Sequence, residues 1–363
     1  MFAKKSPPTP SKPSDDIDDN LRQKIKKVPA KGTLVFIAIC GLVTFGLGLS
    51  IAAYSFVNYR YERVPEGQAQ TQIFEVKRGT GLSQIANDLE RTELIDSADI
   101  FKLVTKFNGG EANFKAGEFE ITTPINMRGI YETLSEGKAV LYPVTIPEGR
   151  TTAQVMNIFA NVPTLINDNP VVPQEGTLLP ETFLTPRNMT YSQLLAQMRA
   201  DQEAVLDELW AGRQKDLPIR TRQEAVILAS IVEKETGISG ERDKVAGVFI
   251  NRLRLGMRLE SDPTIIYGLT KGEPLGRGIR RSEIDRKTDW NTYQIDGLPI
   301  TPICNPGREA IAAVLNPAET EAIFFVADGT GGHVFAKTLA EHNRNVRQWR
   351  QIERARKRRS GGG

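Results

Sequence analysis

The chain has 363 residues, of which 40% are hydrophobic and 25% are charged, so a largely disordered protein is excluded and one to three domains are expected. The net charge of +3 is unevenly spread, because residues 1–31 carry +4 and residues 344–359 carry +7. The two cysteines cannot form a disulfide scaffold or a zinc site, and the two histidines, nine residues apart, match no metal-ligand spacing, so any enzyme chemistry is expected to rest on carboxylates.

The N-terminal region predicts a membrane anchor. Proline, aspartate and basic residues make residues 1–31 typical of a disordered tail. No charge interrupts residues 32–58, and about 20 apolar residues span a bilayer, so a transmembrane helix is predicted over residues 32–59. Basic residues crowd its N-terminal side, which predicts a cytoplasmic tail and an external remainder. A cleaved signal peptide is the alternative, but the leading segment and the apolar core are both too long for one.

A polar linker over residues 60–71 and a small module over residues 72–142 are predicted next. The module begins with a strand at residues 74–76, and apolar residues at helical spacing follow it. Its opening residues resemble a LysM module, a βααβ fold that binds N-acetylglucosamine polymers; they are Phe74, Val76, Gly79, Leu82, Ile85 and Ala86. The alternative is an ordinary strand followed by an amphipathic helix.

The main domain is predicted over residues 143–350, with a basic tail over residues 351–363. Within it, residues 221–236 (TRQEAVILASIVEKET) lack glycine and proline and begin with threonine, which predicts a buried helix ending in Glu233 and Glu235. A second helix is predicted from about residue 240 to residue 255. Two adjacent helices with a carboxylate at their junction resemble the lysozyme-like arrangement.

Helical spacing favours Glu235 over Glu233 as a catalytic acid. Residues three, four and seven positions before a helical residue share its face, and for Glu235 these are Val232, Ile231 and Leu228. An apolar surrounding disfavours the charged carboxylate and raises its pKa, which keeps a general acid protonated near neutral pH. The alternative is that both glutamates are solvated charges at the helix end, paired with Lys234 or Arg242.

Motifs through the main domain resemble the YceG-like endolytic murein transglycosylases (MltG type). The resemblance runs through residues 175–176 (EG), 179–182 (LPET), 229–236 (ASIVEKET), 241–253 (ERDKVAGVFINRL), 257–268 (MRLESDPTIIYG), Tyr293, 297–299 (GLP), 303–307 (ICNPG), 316–317 (NP) and 325–335 (FVADGTGGHVF). It implies an α+β protein in which a membrane anchor and a LysM-like βααβ module precede a larger mixed α+β catalytic domain with a lysozyme-like helical core.

The resemblance also implies an activity and a site. Such enzymes cleave the β-1,4 bond between N-acetylmuramic acid and N-acetylglucosamine without water, leave 1,6-anhydro ends and end nascent strands. The family's catalytic glutamate corresponds to Glu235, and the polar residues Arg252, Asp262, Tyr293 and Asn305 are candidates for sugar contacts. For each of these four a structural role is the alternative: a salt bridge for Arg252, turns for Asp262 and Asn305, and core packing for Tyr293.

The setting follows from the same resemblance. It implies peptidoglycan strands as substrate, no cofactor or metal, and a bacterial inner membrane with the catalytic domain in the periplasm, where nucleic acid is not a partner. Peptidoglycan synthases of the same membrane are the expected neighbours. Two other functions stay open: a non-catalytic peptidoglycan-binding scaffold of the synthesis machinery, and a conventional hydrolase that leaves a reducing end.

Overall fold

The computed structural model describes residues 30–107 and 114–360, so the predicted tail up to residue 29 and the last three residues lie outside them. Helices and short strands alternate along the chain, which confirms the predicted α+β class. The chain divides into two compact units. One comprises the described residues up to Ala116 with Glu120–Gly137, and the other comprises Gly117–Phe119 with the described residues from Lys138 onward.

The first unit carries the long apolar helix and the strand–helix–helix–strand order that was predicted for the module. Its elements are α1 (Ala30–Glu62), β1 (Gln70–Val76), α2 (Leu82–Arg91), α3 (Ala98–Phe107), β2 (Gly117–Thr123, whose last four residues belong to this unit) and α4 (Met127–Ser135). Strands β1 and β2 pair in a two-stranded sheet. One face of α2 is buried through Leu82, Ile85, Ala86 and Leu89, the spacing of an amphipathic helix.

Helix α1 is long and apolar enough to cross a membrane, and its apolar side chains are exposed in the isolated chain. It runs three residues past the predicted end at residue 59, because its last turn packs on the rest of the unit. Arg60 pairs with Asp96 at 2.6 Å, and Arg128 Nε donates to Glu62 Oε1 at 2.7 Å. The extended part of the predicted linker is therefore short, since β1 begins at Gln70.

The second unit is larger and mainly helical. Its elements are β3 (Tyr142–Thr145), α5 (Thr152–Ala160), β4 (Leu165–Ile166), β5 (Thr182–Thr185), β6 (Met189–Thr190), α6 (Tyr191–Ala211), α7 (Arg222–Glu235), a 3₁₀ turn (Ser239–Glu241), α8 (Arg242–Arg254), α9 (Asp262–Thr270), α10 (Arg281–Ile284), α11 (Arg308–Leu315), β7 (Phe324–Ala327), β8 (His333–Ala336) and α12 (Leu339–Ser360). Strands β3 and β5 pair antiparallel, as do β7 and β8, whereas β4 and β6 pair parallel.

Helix α7 is the centre of this unit and confirms the helix predicted over residues 221–236. Eight consecutive residues, Ala225–Val232, are buried, and α11 packs on both α7 and α8. The Thr221 side chain caps the first turn together with Glu224, and this capping box fixes where the helix begins. The helix ends at Glu235, so both predicted carboxylates lie in its last turn.

Helix α12 runs without interruption through the predicted boundary between residues 350 and 351. It packs against β7 and β8. Most of the basic segment predicted as a tail over residues 351–363 therefore belongs to this helix, which ends at Ser360.

Candidate active site

The last turn of α7 carries two glutamates with different surroundings. Glu233 and Glu235 are two positions apart, so their side chains leave the helix roughly 200° apart. Neither is a freely solvated helix-end charge, because Glu233 is nearly buried at 6% side-chain exposure and Glu235 is half-buried. The helix therefore presents one carboxylate to each of two neighbourhoods.

Glu233 is held in an ion-pair cluster around Arg242, the first residue of α8. Its Oε1 lies 3.4 Å from Arg242 Nη2, and its Oε2 accepts a hydrogen bond from the Gly307 N–H at 3.1 Å. The same guanidinium also pairs with Glu148 at 2.9 Å and with Glu309 at 2.6 Å. Arg242 is itself buried, so Glu233 is a charge that the protein has compensated from within.

Glu235 contacts the hydroxyl of Ser261, whereas Glu233 contacts the guanidinium of Arg242. Ser261 Oγ donates to its Oε1 at 2.5 Å, and among the described residues no Lys, Arg or His forms a salt bridge with it. Burial raises the pKa of Glu235 to about 7, against an ordinary value of 4.5; the Ser261 bond lowers it and the charge of Asp262 raises it further. A carboxyl group in this state is substantially protonated at neutral pH, which is what a general acid requires.

Buried hydroxyls hold Ser261 in place. Its N–H donates to Thr292 Oγ1 at 2.9 Å, and its carbonyl accepts from Thr264 Oγ1 at 2.6 Å. The two threonine hydroxyls also contact each other at 2.9 Å. All three residues are buried, so the direction of the Ser261 hydroxyl is set by the protein and not by solvent.

Two predicted contact residues lie beside this pair. Asp262 is the first residue of α9 and is exposed, and the Tyr293 hydroxyl donates to its Oδ1 at 2.8 Å. Burial, followed by the charge of Asp262, raises the pKa of Tyr293 well above its ordinary range, and the charge of Glu235 adds to the same effect. The structure thus brings Glu235, Asp262 and Tyr293 into one electrostatic neighbourhood.

Arg252 is close enough to lower the pKa of Glu235, but its guanidinium is committed to backbone. Nε donates to the Ile323 carbonyl at 2.7 Å, and Nη1 donates to the Leu259 carbonyl at 3.0 Å. Nη1 also reaches Glu260 Oε2 at 3.1 Å, the salt bridge that was weighed from sequence. Arg252 therefore fixes the segment that leads into Ser261.

Asn305 lies in the interior, and both ends of its amide are used there. Its Oδ1 accepts from the Leu178 N–H at 3.1 Å, and its Nδ2 donates to the Arg150 carbonyl at 3.1 Å and lies 3.3 Å from Glu175 Oε1. Burial raises the pKa of Glu175. Asn305 ties three chain segments together, and the structure does not join it to the Glu235 neighbourhood.

Sequence reasoning missed Ser261 as the partner of Glu235, and for His333 it favoured a structural role over a place in or near the cleft. His333 contributes to lowering the pKa of Glu235, and its Nδ1 contacts Glu241 Oε2 at 2.8 Å. Its backbone N–H donates to the other oxygen of Glu241 at 3.0 Å. The Ser-Asp-Pro order at residues 261–263 indicates the start of a helix, but no sequence pattern shows which carboxylate this helix start contacts.

No group of three His, Cys, Asp or Glu able to hold a metal occurs in residues 30–107 and 114–360.

Comparison with known proteins gives one matching family and several relatives. The model of the YceG-like family matches residues 74–348. A Bacillus subtilis protein named endolytic murein transglycosylase is 26% identical over 314 residues, which cover 78% of this chain and 86% of that protein. A Streptococcus pneumoniae protein of the same name is 28% identical over 320 residues, 75% of this chain but 57% of that longer relative. A crystal structure of a YceG-like protein from Listeria monocytogenes shares 27% identity, covers 76% of this chain and 99% of its own, and superposes with a TM-score of 0.46.

Proposed function

The chain belongs to the YceG-like family, and on that premise we propose that it is an endolytic murein transglycosylase whose catalytic residue is Glu235. The relatives carry that name. The observation that carries the proposal is the half-buried carboxyl of Glu235, which has no ion-pair partner among the described residues, accepts the Ser261 hydroxyl and has a pKa raised to about 7. The substrate is the β-1,4 bond between N-acetylmuramic acid and N-acetylglucosamine.

In the first step Glu235 acts as an acid. Protonated Glu235 gives its proton to the glycosidic oxygen as the bond between that oxygen and C1 of the muramic acid breaks. The electron pair leaves with the oxygen, and positive charge develops on the sugar ring. The Glu235 carboxylate formed at this moment keeps the Ser261 hydrogen bond, and that bond favours the charged form.

In the second step the same carboxylate acts as a base. It takes the proton of the C6 hydroxyl of the muramic acid while O6 attacks C1, which closes a 1,6-anhydro ring. Glu235 ends protonated as it began, and no water is consumed. Ordinary glycosidases need a second carboxylate for the nucleophile or the base, whereas here the substrate provides the nucleophile.

The four contact residues divide into two roles. We propose that Asp262 and Tyr293 touch the sugar, because their paired polar atoms lie beside Glu235 and Asp262 is exposed. For Arg252 and Asn305 the contacts support positioning roles instead, since their donors are taken up by the protein's own carbonyls and carboxylates. A further proposal is that the helical core around α7 and α8 is lysozyme-like.

The setting is proposed on the same basis. Helix α1 would anchor the protein in the bacterial inner membrane, with the residues before it in the cytoplasm and both units in the periplasm. The strand–helix–helix–strand order of the first unit supports a LysM-like module over residues 72–142, and residues 143–350 would be the catalytic domain. Synthases of the same membrane are the proposed neighbours. Replacing α1 by an unrelated membrane helix should then impair strand-length control in cells, and full control would contradict that proposal.

The proposed function is tested by digesting glycan strands with the purified full-length protein and measuring the masses of the products by mass spectrometry. The wild type should yield 1,6-anhydro ends, Glu235→Gln should yield them at least about 10²-fold more slowly, and Glu233→Gln, a matched change in the same helical turn, should still yield them. Products heavier by one water would identify a hydrolase. Strand binding without cleavage by the wild type would identify the scaffold alternative.

A further inference from the structure

Helix α1 and the rest of the first unit are joined by a packed junction. Val57 is half-buried and Tyr61 is 1% exposed, whereas the apolar residues before them are exposed. Helices α3 and α4 pack against α1 at this end. The ion pairs of Arg60 with Asp96 and of Glu62 with Arg128 close the junction on both sides. The first unit therefore cannot swing freely on its anchor.

The junction lies where the apolar part of α1 ends. Residues 32–58 carry no charge, and Arg60 is the first charged residue after them. From Val57 to Tyr61 a helix rises about 6 Å, which is comparable to the headgroup layer on one side of a bilayer. A helix packed against this part of α1 consequently lies at the level of the lipid headgroups, provided that α1 spans the membrane.

Helix α3 has two apolar faces. Ala98, Phe101 and Thr105 form the inner face and are buried. A second stripe recurs at helical spacing on another side of the helix; it consists of Ile100, Leu103, Val104 and Phe107. Two of its members are open to solvent in the isolated chain, Leu103 at 44% and Phe107 at 83% exposure. A solvent-facing helix has no need of such a stripe.

We infer that α3 is a second membrane contact, whose outer stripe inserts Leu103 and Phe107 into the interface of the phospholipid bilayer that α1 spans. The nearest apolar phase to the stripe is the bilayer around α1, because α3 packs on the end of that helix. The inference rests on the proposed membrane anchoring.

Two membrane contacts would do what one helix cannot. A transmembrane helix can tilt in the bilayer and carry the packed unit with it, whereas a second contact beside the helix fixes one face of the unit toward the lipid. The first unit would then present a constant side to glycan strands close to the membrane surface.

Tryptophan fluorescence in vesicles tests this inference with the full-length protein. The variant Phe107→Trp is compared with Ile73→Trp, a matched control because Ile73 is also apolar and 49% exposed in the same unit but lies on β1. Each is reconstituted in phosphatidylcholine vesicles with or without bromine on the acyl chains near the headgroup. The fluorescence of the wild type, which has three tryptophans, is subtracted.

The expected result is that bromine removes roughly half of the fluorescence added by Phe107→Trp and leaves that of Ile73→Trp nearly unchanged, as for a side chain at the interface. Equal quenching of both variants, or quenching of neither, overturns the inference. Quenching of neither would indicate that a protein, not lipid, covers the stripe. Vesicle flotation separates the two proposals. Protein that fails to float refutes the anchor and with it this inference, whereas floating protein with equal quenching refutes the inference alone.

Discussion

Glu233 and Glu235 are the same residue type in the same helical turn, yet the groups that contact their carboxyl groups differ. On the Glu233 side a buried arginine and a backbone N–H compensate the carboxylate. On the Glu235 side a single serine hydroxyl does so, and burial outweighs it. The first arrangement keeps a charge for the sake of the fold. The second keeps a proton on the carboxyl group near neutral pH and lowers the stability of the folded protein above that pH.

Their separation depends on the elements that follow α7 in the chain. Arg242 opens α8 immediately after the 3₁₀ turn and faces Glu233, whereas Ser261 stands at the start of α9 and faces Glu235. The cluster also has its own cost: burial, and then the charge of Glu233, raise the pKa of Glu148. Arg242 thus holds several carboxylates together, and its ion pairs within the described part of the chain are with Glu148, Glu233 and Glu309, not with Glu235.

The largest expected effect is on catalysis. Glu235→Gln removes the proton donor while keeping the shape of the side chain, so kcat/KM should fall by about 10²–10⁴-fold. Glu233→Gln should keep kcat/KM within a few-fold, measured on glycan strands with both proteins shown to be folded by circular dichroism. Equal losses in the two variants would erase the functional difference between the two glutamates.

The next effect is on stability at the Glu233 side. Arg242→Met leaves Glu233 and Glu148 without their cation, and the loss of one partner of a buried ion pair costs about 3–5 kcal/mol of unfolding free energy. Denaturant unfolding at pH 8 measures it. Because protonation relieves the uncompensated carboxylates, the deficit should shrink at pH 5. A deficit that is the same at both pH values would indicate lost packing rather than lost charge.

The opposite sign is expected for stability at the Glu235 side. A pKa raised from 4.5 to about 7 means that the folded protein binds the proton more tightly than the unfolded chain, so this group lowers stability as the pH rises from about 4.5 to about 7. Above that range the cost is about 3 kcal/mol, at about 1.4 kcal/mol per pKa unit.

Glu235→Gln should therefore be more stable than the wild type at pH 8, by up to that amount, and the gain should vanish below pH 4.5. Glu233→Gln should be less stable than the wild type at pH 8, because Arg242 and the Gly307 N–H lose the charge they face. Unfolding curves of the three proteins at both pH values decide this. A Glu235→Gln variant that is less stable at pH 8 would contradict the assigned burial cost.

The smallest effect concerns Ser261. Its hydrogen bond lowers the pKa of Glu235, so Ser261→Ala should raise that pKa further and move the alkaline limb of kcat/KM to higher pH by up to about one pH unit. Ser261→Thr, which keeps a hydroxyl, serves as the control and should retain the wild-type limb. A limb that stays in place in Ser261→Ala would remove Ser261 from the account.

Much of this contrast could be predicted from sequence, but its cause could not. The capped helix over residues 221–236 follows from its composition and its first threonine, and helical spacing singled out Glu235. A more apolar helix face explains only part of the raised pKa of Glu235. The residues on the helix face of Glu233 are buried as well, Ala229 and Ser230 completely. What distinguishes the two glutamates is the residue that each contacts, Arg242 for Glu233 and Ser261 for Glu235. Both partners lie on later helices, and such contacts between elements leave no periodic pattern in the sequence.

The same limit applies to the other candidates. The sequence indicated Arg252 and Asn305 as polar residues in matched motifs, but it could not show that backbone carbonyls 71 and 155 positions away take up their donors. It likewise located the end of the apolar segment, while the ion pairs that extend α1 to Glu62 link residues far apart in the chain. Long-range polar contacts decide which motif residues remain available to a ligand.

The pH dependence of kcat/KM decides whether one carboxyl group with a raised pKa performs the whole reaction. We expect a single limb in which kcat/KM is high at low pH and falls tenfold per pH unit above about pH 7, with no second limb on the acid side from an ionised catalytic carboxylate. A bell-shaped profile with an acid limb near pH 4–5 would reveal a second catalytic carboxylate and contradict the account.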